Sequence, residues 1–353
     1  MPNDSALVAA RPQFRIAGQD QADLASALVA FDLREDTQGL ARAEIEFGNW
    51  GTKGNGLGFL FFDRALLDFG KELQVRLGDA TLFDGRIMAL QGVFPEGAPP
   101  RLKVLADDRL QDLRMTRRSR SFADMSDADV MQQVANDHGL TPQVDVSGPT
   151  HKHLAQVNQS DLAFLRERAR ALDAELWVEG STLHATKRAS RDAGSVQLGW
   201  GNLLRSFEVT ADLAGQRTAV AVSGWDVAGK QGIKAEATSS AISSELGGDE
   251  SGIAILQAKL GARKENIAHP VPVTESEARA AAEAVLRMAA RRFVTAHGVA
   301  DASAGLKVGA HVELSELGPL FSGKYTVTSV RHRFDGKQGL RSEFAAERPG
   351  IGK

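Results

Sequence analysis

Two distant segments of the chain repeat one pattern. GKELQVRLGDATLFDGRIMAL begins at Gly70 and GAHVELSELGPLFSGKYTVTSV begins at Gly309. Each runs glycine, alternating strand, polar loop, Leu-Phe-x-Gly, strand. Leu73 and Val75 correspond to Val312 and Leu314, and Leu82, Phe83 and Gly85 to Leu320, Phe321 and Gly323. The segments lead into similar acidic–basic clusters, ADDR at 106–109 and AAER at 345–348. Glycine-bounded strands also recur by chance in β-proteins. If the repeat is a duplication, one chain carries two copies of one β unit, and three chains make a ring of six. Such a ring is a threefold object with a near-sixfold face, and its symmetry limits what it can dock onto.

Strand signals fill most of the chain. In LARAEIEF, Ala41, Ala43, Ile45 and Phe47 alternate with charged residues, the period of a half-buried strand. Residues 13–33, LQVRL at 73–77, TLFDGRIMAL at 81–90 and RLKVLA at 101–106 extend the pattern, so 13–110 reads as an antiparallel barrel or sandwich. Composition changes at 119. Ser126 is an N-cap candidate, Val130, Met131 and Val134 form an apolar stripe, and Gly139 sits at a helix end. In QVNQSDLAFLRERARALDAELWVEG (156–180), Ser160 caps a helix whose Leu162, Leu165, Ala169 and Leu172 share one face, and a hairpin turns at Gly180. Residues 119–187 are thus a small α/β unit. Strands return over 195–236. Residues 238–252, rich in Ser and Gly, read as a mobile loop. Thr274 and Glu277 open a helix of about 22 residues, with Ala278, Ala282, Val285, Ala289 and Phe293 on its apolar face and Gly298 at its end. Strands at 310–315, 324–334 and 339–347 close the chain.

Composition excludes several chemistries. Among 353 residues there is no cysteine, so disulfides, thiolate zinc sites, iron–sulfur clusters and a Cys nucleophile are ruled out. The 42 basic and 45 acidic residues leave a formal net charge of −3, unlike a chain coated for nucleic acid. The N-terminus lacks the charged and apolar regions of a signal peptide, and no apolar run approaches the length of a membrane span. A soluble, cytoplasmically made, multidomain protein is expected.

Several residues admit both a sharper site role and an ordinary structural one. His151 and His153, two apart on a strand, could face one metal, but no third ligand stands at a familiar spacing. His138 and His297 each precede a glycine and suit helix C-termini. Asp107, Asp108 and Asp112 raise general acid–base work, yet adjacent residues on a strand face opposite sides. Arg114, Arg117, Arg118 and Arg120 could line a channel for DNA, or pair with acidic neighbours across a linker. RHR at 331–333 reads the same way. GNWGTKGNGLG at 48–58 lacks the ending of a phosphate loop and is expected to be a flexible β-loop whose exposed Trp50 could dock a neighbour. Trp177 is expected in the hairpin core or at a subunit contact.

The order of LFDGRIMALQGVF, RLKVLADDRLQDL, FADMSDADVMQQVANDHGL, QVNQSDLAFLRERARALDAELWVEG, LGWGNLLRSFEV, VAVSGWDVAGKQGI and GLKVGAHVELSELGPLFSGKYTVTSVRHRF, spanning about 20–349, resembles the phage late control D family of tail hub proteins. It is similar to the hub part of VgrG-like spike proteins of contractile injection systems. The resemblance implies an α+β, β-rich fold: a first tube-like β-barrel at 13–118, the small α/β domain at 119–187, a second tube-like barrel from 188–236 and 299–349, and a flexible loop plus long amphipathic helix inserted at 237–298. It implies a non-enzymatic baseplate hub of a phage-tail-like particle, a homotrimer without cofactor or metal that joins a hexameric inner tube to a trimeric spike beside other baseplate proteins. Neither membrane insertion nor specific nucleic-acid binding is expected. Trp50, Arg114, Arg117, Arg118 and Trp177 are the interface candidates. The sequence ends at ERPGIGK, where VgrG proteins continue into further β domains, so a separate spike protein is expected. A cell-wall hydrolase component and a nucleic-acid-binding channel component stay open as alternatives.

Overall fold

The computed structural model describes residues 11–227, 229–268 and 272–352. The N-terminal segment read for a signal peptide lies largely outside them, as does His269. The molecule is β-rich and built on one 13-stranded sheet. The first half supplies β1 (Gln13–Ile16), α1 (Ala22–Ala27), β2 (Leu28–Asp36), β3 (Arg42–Gly48), the hairpin β4 (Trp50–Lys53) and β5 (Gly56–Phe59), then β6 (Glu72–Leu77), β7 (Ala80–Val93) and β8 (Arg101–Asp107). The alternation read in LARAEIEF is realised in β3, where Ala43, Ile45 and Phe47 are fully buried. They join Phe14, Phe31, Leu73, Val75, Ile87 and Val104 in one core.

A second unit follows: α2 (Leu110–Arg114), β9 (Arg117–Ser126), α3 (Asp127–Asp137), β10 (Thr141–Asp145), β11 (Thr150–Ser160), α4 (Asp161–Ala171), β12 (Ala174–Glu179) and β13 (Thr182–Lys187). Ser126 forms a capping box with Asp129, and Ser160 accepts from the Ala163 N–H. These caps satisfy amides that a helix start leaves unpaired. Leu162, Leu165 and Ala169 pack with Val130, Met131, Val134 and Leu176 in a separate core. Gly39, between β2 and β3, docks this unit. Its φ is +76° and an added Cβ would lie 1.9 Å from the Leu176 carbonyl oxygen, so only glycine fits.

The remaining elements are β14 (Ser195–Gly199), β15 (Leu204–Ala211), β16 (Ala219–Asp226), β17 (Gln231–Thr238), α5 (Gly252–Leu260), β18 (Lys264–Ile267), α6 (Glu275–Arg291), β19 (Val294–Asp301), β20 (His311–Ser315), β21 (Gly323–Asp335) and β22 (Gly339–Arg348). Four boundaries differ from expectation. The segment 238–252 carries a 3-10 helix at Ser239–Glu245, whose Ile242 is buried beside α6. β16 and β17 leave the large sheet and form their own with β18, covered by α6. The long helix stops at Arg291, and His297 and Gly298 lie inside β19. There β-sheet pairing outcompetes helix continuation, since Val294, Ala296 and Ala300 alternate inward. The glycine-rich segment 48–58 is a paired hairpin, Trp50 opposite Phe59.

No barrel closes among the described residues. The strand path runs open: β15–β19–β22–β21–β2–β3–β8–β7–β6–β1, ending at Gln19–Asp20, with β20 attached to β21 and β14 to β20. Both halves belong to one sheet because β21 pairs with β2, Ser329 opposite Asp36 through Asp335 opposite Ala30.

Candidate assembly interface

The duplication is visible in the pairing order. The first half runs β2–β3–β8–β7–β6 and the second β15–β19–β22–β21–β20, the same arrangement of five successive strands. The two halves share local irregularities as well. β2 shifts register between Leu28 and Ala30, and β15 between Leu204 and Ser206. β7 shifts between Ile87 and Ala89, and β21 between Val327 and Ser329. Gly70 N–H donates to the Ile87 carbonyl at 2.8 Å, and Ile87 N–H to the Lys71 carbonyl at 3.0 Å. Gly309, Val327 and Ala310 make the matching pair at 3.0 and 2.9 Å. Bulges are position-specific devices, and their coincidence in both halves aligns the copies residue by residue.

That alignment corrects part of the sequence correspondence. Leu73 and Val75 do match Val312 and Leu314. The Leu-Phe-x-Gly motifs do not match: Val75 faces Phe83, while Leu314 faces Gly323. Leu82 and Phe83 lie within a strand, whereas Leu320 and Phe321 form the short helix Gly318–Phe321 before one. A loop of different length before the second strand produces the apparent motif.

Two edges of the large sheet that correspond to the internal junction lack a partner strand among the described residues. In β21 the first part pairs with β20 and the last part with β2. In β7 the first part pairs with β6 in the same way, but beyond Ile87 that edge meets no strand. β15 pairs only with β19, and its Arg205, Ser206, Glu208, Thr210 and Ala211 are exposed. Unpaired backbone along a strand is a template for further pairing.

An apolar surface adjoins the β7 edge. Trp50 meets Phe59 edge-on at 5.2 Å between centroids, Phe59 stacks on Phe62 at 5.0 Å, and Phe62 lies 5.6 Å from Phe94. Phe94 just beyond β7 is 68% exposed, but Phe334 at the matching place in β21 is 7% exposed. Trp200 and Leu203, just before β15, are exposed as well.

The other interface candidates are more occupied. Trp177 is half-buried, with Arg191 over one face at 4.0 Å and His184 stacked at 5.0 Å. The arginine run sits on the linker and β9. Arg118 reaches Asp161 at 3.4 Å, and Arg120 pairs with Asp161 and Asp137, both at 2.9 Å. Arg117 donates to the Asn158 carbonyl and Arg114 to the Gln111 side chain. Trp50 therefore stands with the open β7 edge, whereas the other four candidates lie on the α/β unit or the linker into it.

The acidic trio is likewise held. Asp107 pairs with Arg42 and Asp112 with Arg86. Asp108 accepts from the Ala41 and Leu110 N–H groups, tying β3 to the start of α2. Burial pushes its carboxyl up to about 8 against the pull of those two donors. It lines a cleft of about 330 Å³ with Glu35, Asp84, Glu179, Arg191, Lys307 and His332. Burial also raises Glu35 and Asp84, and lowers His332 to about 4. His151 spends both ring nitrogens, on Glu277 at 2.8 Å and Asp127 at 3.1 Å, linking the α/β unit to the start of α6, while His153 is exposed. Among the described residues no group of three acidic, His or Cys side chains is placed to hold a metal, and no helix is long and apolar enough to cross a membrane.

This architecture is that of tail proteins. The chain aligns with the 43 kDa tail protein of prophage MuSo2 from Shewanella oneidensis at TM-score 0.68 and 14% identity, covering 96% of this chain and 98% of that one. A tail protein from Neisseria meningitidis MC58 aligns at 0.65 and 12% identity, with 97% of each chain covered. The E. coli c3393 protein, a type VI secretion component described as similar to the T4 tail proteins gp27 and gp5, aligns at 0.61 and 11% identity, over 95% of this chain and 76% of that one. No curated protein sequence matches. The chain belongs to the family described as the Alg8 N-terminal domain, whose model matches residues 56–335.

Proposed function

We propose that the chain is a structural hub of a contractile tail or injection device, and that three copies close into a ring of six related β units between an inner tube and a spike. The observation that carries this reading is the junction between the halves. Within one chain, the last part of β21 pairs with β2. The matching edges, β7 beyond Ile87 and β15, are the two left open. A second copy that repeats the internal junction sets Leu90 opposite Ala211, Gln91 opposite Thr210 and Gly92 opposite Val209. Such a head-to-tail contact forms a ring when its rotation closes. Six units also suit a sixfold neighbour on one face and a threefold one on the other. The fold shared with tail and secretion proteins, and the motif order shared with late control D proteins, support the same reading. Its partners are then the inner tube, the spike and other baseplate proteins, within the particle.

Neither alternative draws on a specific observation. Asp107 and Asp112 are ion-paired and Asp108 caps a turn, so this trio offers no free pair to flank a glycosidic bond. Arg118 and Arg120 are already paired with carboxylates.

The cysteine-free chain allows a direct test. Gln91→Cys combined with Thr210→Cys should give a disulfide-linked species of three times 37.8 kDa on a non-reducing gel, with a matching mass in solution. The two positions lie toward opposite ends of the strand path and do not face each other within one chain. Uncrosslinked monomer would overturn the edge pairing, and an open ladder of larger multiples would overturn the closed ring.

A further inference from the structure

We propose that the β4–β5 hairpin is a latch, seating its aromatic face on Trp200 and Leu203 of a second copy of this chain. The inference rests on the ring reading and adds to it. Between β3 and β6 the first half carries an insertion, residues 49–71, that holds the hairpin. The second half spans the matching gap, between β19 and β20, with only residues 302–310. The latch therefore exists once per chain, on the half whose β7 edge is open.

The internal junction indicates what covers the patch. Phe334 is buried opposite Phe31 of β2, and Arg11, which donates to the Leu28 carbonyl at 3.3 Å, lies over its ring. Phe94 and Phe207 hold the matching places. Repeating the junction between chains brings Phe94 opposite Phe207 of the neighbour's β15, so the chain beyond Phe94 runs toward the start of that strand. The turn just before that strand carries Trp200, 51% exposed, where the first half has α1 with its buried Leu24. Trp50 is 45% exposed, so two separate apolar patches on one chain are both covered by a single register. Monomers rarely leave such patches uncovered, and central aromatics dominate interface energies.

The test is a double-mutant cycle on self-association of the full chain, read by molar mass in solution across concentration. Trp50→Ala and Trp200→Ala should each weaken the trimer about thirty-fold or more, the size of an aromatic hot spot. The double variant should lose less than the product of the two. Leu203→Ser, which leaves the hairpin untouched, should weaken it as well, and circular dichroism should match wild type throughout. A trimer indifferent to Trp50→Ala and Leu203→Ser overturns the latch and leaves the ring standing. Independent, multiplying losses overturn the direct contact. A wild-type chain that stays monomeric at every concentration overturns latch and ring together.

Discussion

Two side chains in the cleft between the halves set opposite pH limits. His332 is buried with Nδ1 2.9 Å from Ser342 Oγ, and its pKa falls to about 4 from an ordinary value near 6.5. The folded state therefore binds fewer protons than the unfolded one across that window. The stability it contributes is present above 6.5 and is lost as pH falls toward 4. Asp108 works the other way. Its folded carboxyl holds a proton up to about 8, so its contribution is present below about 4 and is lost as pH rises toward 8. Each unit of difference corresponds to about 1.4 kcal/mol. Urea unfolding at pH 4.5 and 7.5 checks the first: His332→Gln should lose less stability on acidification than wild type. Asp108→Asn should flatten the decline between pH 5 and 8, and an unchanged slope in either variant refutes the assignment.

At the scale of elements, one arginine ties the end of α6 to the α/β unit and the inserted segment. Arg291 donates to Asp173 Oδ1 and Oδ2 at 2.5 and 2.7 Å, and to both Glu245 oxygens at 2.7 Å. Asp173 follows α4 with φ +55°, and Glu245 ends the 3-10 helix. The cluster thus joins the α/β unit, the inserted segment and α6 where three cores meet. Removing one member of a buried ion pair strands the others. Arg291→Leu is expected to cost about 3–5 kcal/mol in denaturant unfolding. Adding Asp173→Leu should recover part of it, whereas additive losses would show that the two residues act independently. The neighbouring link through His151 leaves α6 held at both ends, by Glu277 at its start and Arg291 at its finish.

At the scale of the whole molecule, the open sheet is the feature that asks for company. A chain whose large sheet leaves the β7 and β15 edges without a partner among the described residues, beside separate apolar patches, gains stability when copies associate. Mass action then makes the melting temperature rise with protein concentration. Scanning calorimetry over a hundredfold range of concentration should show that rise in the wild type. It should vanish in a Gln91→Lys, Thr210→Lys variant, because like charges would face each other across every junction. A wild-type melting temperature independent of concentration would argue against assembly in solution.

Much of this was legible in the residues. Period-two alternation located β3, β6, β8, β20, β21 and β22 closely, and cap chemistry located α3 and α4 with their Ser126 and Ser160 starts. These signals are local: a side chain's neighbour along the chain decides its face, and a cap bonds three residues on. The glycine-led repeat was also readable, since Gly70 and Gly309 make the same backbone bonds. What the sequence could not supply was partnership across space. Helical spacing carried the reading of α6 past Arg291, although sheet pairing claims Val294–Asp301 for β19. The Leu-Phe-x-Gly motif misaligned the copies, because only bulges and cross-strand hydrogen bonds fix register. Nothing in Gln91 or Thr210 announces an open edge, and nothing in Asp108 or His332 announces burial. Those properties come from which strands meet, and strands far apart in the chain meet only when the whole sheet has formed.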